Sequence, residues 1–170
     1  MAEDAARNRE IALEIWGRDL MDRDPDSPEF REHFDTHYTQ DYWNHASEPG
    51  KDRGFENAYM VARSFKELFE DAKFEIDKVA ADGDLVFLQG LFTAKNVGGR
   101  LFGIPATGAA VSQPHVHILR FRDGLIAEHF VVRDDFPMYK QITAVQSEGG
   151  IMRGVDTDQY HAPEKAQEKA

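Results

Sequence analysis

The chain has 170 residues, 31 acidic and 20 basic side chains, a formal charge of −11 and no cysteine. That length suits one domain with a real core and a small pocket. The acidic balance argues against nucleic acid or an anionic membrane as partner, since phosphates must be met by clustered Lys and Arg, and the lack of cysteine excludes disulfides, thiolate metal sites and a thiol nucleophile.

The opening MAEDAARNRE has neither the basic start nor the apolar core of a signal peptide, and no apolar run approaches spanning length, so a cytoplasmic location without membrane contact is expected. From about Ala5 to Asp22, Ile11, Ala12, Ile15, Trp16 and Leu20 recur at helical spacing and form one apolar stripe. Ser27-Pro28-Glu29 supplies an N-cap, a proline at the first helical position and an acid in the first turn of a second helix. Phe30, Phe34 and Tyr38 give that helix an aromatic edge. His33 and His37 have i, i+4 spacing but lack the His-Glu-x-x-His pattern and a third ligand, so they read as solvated or capping residues. Asp41 to His45 reads as a short extended segment, and Tyr42, Trp43 and His45 suit either a pocket wall for a flat ligand or an aromatic core.

A third amphipathic helix is expected over Phe55–Phe69, then a strand near Lys73–Val79. The nearly continuous apolar run Asp84–Thr93 predicts a central strand buried on both faces. The glycines and proline of residues 96–108 make a loop without the spacing of a phosphate cradle. Past Gln141 the periodicity fades, giving a domain over residues 1–145 and a flexible C-terminal tail over 146–170.

Most of the chemistry lies in Gln113–Gln141. Asp123-Gly124 between two alternating runs predicts a two-residue hairpin. Counting outward from Arg122 opposite Leu125 pairs His117 with Phe130, His115 with Val132 and Gln113 with Asp134, which puts His115, His117 and Asp134 on one wall with Phe130 and Val132. His129 then falls on the outer face, as do Val116, Ile118 and Val131, whose apolar surface predicts a homodimer. The parity depends on register, since a bulge would send the histidines to the face opposite Asp134.

Two motifs resemble the SnoaL-like polyketide cyclase family (ester cyclase type) of the NTF2-like superfamily: Gly103-Ile-Pro-Ala-Thr-Gly108 before a strand, and Glu128-His129 followed by Asp134, Met138 and Gln141. The likeness spans roughly residues 10–143 and departs from the family pattern at Phe130, usually Trp, and Met138, usually Leu. The resemblance implies an α+β NTF2-like cone, a curved antiparallel sheet with about three helices on its concave face around a pocket, paired as a homodimer through the sheet's outer face.

It also implies a lyase or isomerase acting on a small hydrophobic oxygenated molecule by acid/base catalysis without metal or cofactor, as in intramolecular aldol cyclisation. The family's acid/base carboxylate maps to Asp134, ahead of its neighbour Asp135, with His115 and His117 orienting a carbonyl or relaying a proton. Tyr42, Trp43, His45, Phe130, Val132 and Gln113 are the expected substrate contacts. A non-catalytic carrier using the same pocket, and a metal enzyme built on His115, His117 and Asp134, are the alternatives.

Overall fold

The computed structural model describes residues 2–19, 24–47 and 50–144. The expected tail lies outside them. Helix α1 (Ala2–Glu14) runs into one π-helical turn (Ile15–Asp19), and Ala12, Ile15 and Trp16 are buried as the stripe requires. Helix α2 (Pro28–His37) starts where expected, with the Ser27 hydroxyl accepting from the Phe30 N–H at 3.1 Å. His37 bonds the carbonyl of His33 within this helix. Phe34 stacks on Tyr38 with ring centres 4.8 Å apart. Each such side chain removed from water contributes about 1.5–3 kcal/mol.

Strand β1 (Tyr38–Asn44), helix α3 (Phe55–Leu68), and strands β2 (Phe69–Asp82) and β3 (Leu85–Asn96) follow. A two-stranded ribbon of β4 (Arg100–Leu101) and β5 (Ile104–Pro105) precedes β6 (Ala110–Arg122), β7 (Leu125–Arg133) and a last helix α4 (Asp135–Ala144). The fold is α+β, a curved five-stranded sheet in the order β1-β7-β6-β3-β2 with helices packed on it. The sheet is mixed rather than wholly antiparallel, because β1 pairs parallel with β7. Strand β3 is interior, yet only its inward residues Val86, Leu88, Gly90, Phe92, Ala94 and Asn96 are buried. Gln89 and Lys95 are exposed on its outer side, so burial on both faces does not hold.

The β6–β7 hairpin turns as expected, with Asp123 and Gly124 both at positive φ (53° and 79°) and Arg122 opposite Leu125. The register then slips by one, with Phe121 opposite Ile126 but Arg120 opposite Glu128, leaving Ala127 as the extra residue of a bulge. Ile126 and Ala127 are both buried, which strict alternation cannot achieve. The consequence corrects the expected pairs. His117 faces Val131 and His115 faces Arg133, while Phe130 and Val132 join Val116 and Ile118 on the outer surface. His129 turns inward, opposite Leu119.

Candidate active site

Helices and sheet enclose a cavity of about 370 Å³, within the size range of small-molecule sites. Its walls include Trp16, Phe65, Phe74 and Phe92, and its described lining carries Lys51 and Arg133 but no carboxylate. His115, His117 and His129 form its polar floor. A neighbouring cavity of about 510 Å³ shares His115 and Arg133 and reaches Gln113 and Asp135.

The three imidazoles are fixed by rings around them. Trp16, from the π-helical turn, lies 4.1 Å from His117 and 4.8 Å from His129 between ring centres. Phe74 meets His117 edge-on at 4.9 Å, and Phe92 stacks on His115 at 5.5 Å. Phe74 reaches this position because Gly90 lies under it. A Cβ at residue 90 would stand 2.9 Å from the Phe74 ring and 2.3 Å from the Glu75 carbonyl oxygen.

The rings join one hydrogen-bonded chain. His115 Nε2 lies 2.7 Å from Gln113 Oε1, His115 Nδ1 3.3 Å from His117 Nε2, His117 Nδ1 3.0 Å from His129 Nε2, and His129 Nδ1 3.2 Å from Asn44 Oδ1. Both ends are anchored. Gln113 Nε2 donates to the Asp135 carboxylate at 2.9 Å and to the Asp134 carbonyl. Asn44 Oδ1 accepts from the Ala46 N–H at 2.9 Å, and Asn44 Nδ2 donates to Asn57. Burial, then the Arg133 charge, pushes His115 down to about 4 against an opposing pull from Asp135. Burial and Arg133 push His129 down to about 3, and burial with the two neighbouring rings holds His117 well below the ordinary value. At neutral pH these are bases without charge.

Of the residues expected from sequence, the structure brings together His115, His117 and Gln113. Asp134 is exposed, and its carboxylate caps α4 by accepting from the Phe136 N–H at 3.0 Å. Asp135, its neighbour, is the carboxylate tied to the histidine chain. Tyr42 is buried edge-on against Tyr38 in the core. Trp43, His45, Phe130 and Val132 occupy the opposite face of the sheet. There His45 stacks on Phe130 at 3.9 Å and bonds Glu128, Arg53 lies over Trp43, and Val132 is 63% exposed. The one-residue shift at Ala127 moved Phe130 and Val132 away from the histidines. His129 and Asn44 are the functional candidates that sequence reasoning missed. The adjacent apolar pair Ile126-Ala127, which breaks alternation just before Glu128-His129, is the signal that marks the bulge.

A curved sheet backed by helices around a cavity matches the NTF2-like fold. The sequence model of the SnoaL-like polyketide cyclases matches residues 23–142, and the chain belongs to that family. Comparison with curated proteins finds no match. Among solved structures, TsrD from Streptomyces laurentii is similar at 24% identity over 85% of this chain and 98% of its own, with a TM-score of 0.66. A protein of Jannaschia sp. CCS1 whose name assigns it to the SnoaL-like polyketide cyclases is 21% identical over 82% of this chain and 94% of its own, at a TM-score of 0.69. IdmH from Streptomyces antibioticus, also named for polyketide cyclisation, is 19% identical over 84% and 97%, at 0.59. These likenesses concern the fold.

Proposed function

We propose that this protein is a cyclase or isomerase that moves a proton at carbon next to a carbonyl of a hydrophobic, oxygenated small molecule. The single observation that supports this reading is the chain of three buried imidazoles on the floor of an apolar cavity. A neutral imidazole there accepts the proton, and the developing oxyanion meets Lys51 and Arg133. Cyclisation then follows when the bound chain is folded so that its enolate carbon reaches a second carbonyl. In this proposal the proton carriers are His115, His117 and His129, and Asp134 serves the helix.

The test needs no knowledge of the natural substrate. Apolar β-keto esters are incubated with the protein in deuterium oxide, and exchange of the acidic C–H is followed by proton NMR. The wild type should accelerate exchange, and His117→Phe and His129→Phe should each lose roughly a hundredfold, the scale of a general base. Binding without any exchange above buffer would overturn the enzymatic reading in favour of a carrier.

A further inference from the structure

The histidine chain contains a hydrogen count that its geometry makes unambiguous. Gln113 can offer His115 only its oxygen, because its nitrogen faces two acceptors, the Asp135 carboxylate and the Asp134 carbonyl. Asn44 can offer His129 only its oxygen, because the Ala46 N–H fixes that atom as an acceptor. Four contacts therefore lie between two terminal acceptors, and each needs one hydrogen. Three neutral imidazoles supply three.

We propose that His115, His117 and His129 are a proton relay one hydrogen short of complete, whose vacancy moves between the Asn44 end and the Gln113 end. When the vacancy sits beside Asn44, every ring carries its hydrogen on Nε2. When it sits beside Gln113, every ring carries it on Nδ1. The two states exchange when a proton is added at the vacant end, hops follow along the hydrogen bonds and a proton leaves at the other end, and because both ends are amide oxygens neither end traps the vacancy. A proton taken at one end completes all four hydrogen bonds, and loss of a proton at the other restores the vacancy there.

This assignment of the relay's task rests on the acid/base reading above. In that reaction the substrate C–H bond breaks, its electron pair stays on the substrate as the enolate, and the proton forms an N–H bond at the ring nitrogen that the vacancy leaves bare. The same proton, or one from the far end, returns to the product. Charge around the relay comes from few directions. Arg133 on β7 opposes added charge, Asp135 on α4 favours it through Gln113, and His45 after β1 opposes it. The π-helical turn, β2 and β3 present Trp16, Phe74 and Phe92, which carry none. Lys51 is the other cation on the cavity lining.

Nitrogen-15 NMR of ring-labelled histidine tests the relay without any substrate, so it stands or falls separately from the exchange assay. In the wild type at neutral pH, both nitrogens of all three rings should show shifts intermediate between N–H and bare nitrogen. Asn44→Leu removes one terminal acceptor and should lock all three rings, including distant His115, as Nε2–H. Gln113→Leu should lock them, including distant His129, as Nδ1–H. A wild type with each ring in one fixed tautomer, or substitutions that alter only the adjacent ring, would overturn the relay. Should either variant not fold, the wild-type averaging decides alone. Acidification adds a second check, in which the first proton taken up moves all three rings together, whereas a first protonation confined to one ring would count against the assignment.

Discussion

Burial at single residues sets the acid response of the molecule. His115 and His129 are held at about 4 and about 3 in the folded chain, against about 6.5 when unfolded. Between those values the unfolded chain binds more protons, so stability is full above about 6.5 and is lost as pH falls toward the folded values. Each ring costs up to about 1.4 kcal/mol per pH unit in that window. The thermal midpoint should therefore drop by several degrees between pH 7 and pH 4, and by less in His129→Phe; a midpoint independent of pH would contradict the buried neutral rings. Asp134 gives a contrasting expectation. As the cap of α4 its loss in Asp134→Ala should cost about 1 kcal/mol, while Asp134→Asn should be nearly neutral and leave carbon-acid exchange intact. Exchange lost in Asp134→Asn with the fold unchanged would restore that carboxylate as the proton carrier.

Two backbone features of strands put the rings in place. The bulge at Ala127 is the first, because it brings His129 to the face of His117. Inserting one residue between Glu128 and His129 would drive His129 outward and Phe130 inward, so the variant should be severely destabilised in urea unfolding. Gly90 is the second. It pairs with Ile76 on β2 and with His115 on β6. Since a Cβ there meets backbone rather than a yielding side chain, Gly90→Ala should cost at least the ~1–3 kcal/mol of ordinary overpacking. It should also displace Phe74, and unchanged histidine NMR shifts would argue against the support described here. The last helix has too little apolar periodicity to be legible in the sequence. Its buried residues are just Met138 and Ile142, one turn apart, and the tie of Gln141 to both backbone groups of Ser112 is long-range.

At the scale of the whole molecule, the outer face of the sheet carries Val116, Ile118, Phe130 and Val132, and we expect a second copy to cover it. Sedimentation should give a dimer that Val132→Glu converts to monomer, and a monomeric wild type would refute the pairing. Among the described residues no helix is long and apolar enough to cross a membrane. The sequence by itself determined the first three helices, because their apolar stripes and the Ser27-Pro28 start depend on local spacing. It determined the hairpin turn, since Asp123-Gly124 adopts positive φ whatever surrounds it. It also carried the family resemblance and the pairing of His115 with His117, whose i, i+2 spacing on one strand needs no partner. Only the tertiary structure decided which residues face those histidines. Strand parity has a period of two, so a single extra residue exchanges the faces of every residue beyond it, and whether Ala127 is accommodated as a bulge depends on the packing of Ile126 and Ala127 against the core. The meeting of Trp16, Asn44 and His129 at one cavity was settled in the same way, by chain segments far apart in sequence that the parallel pairing of β1 with β7 brings side by side.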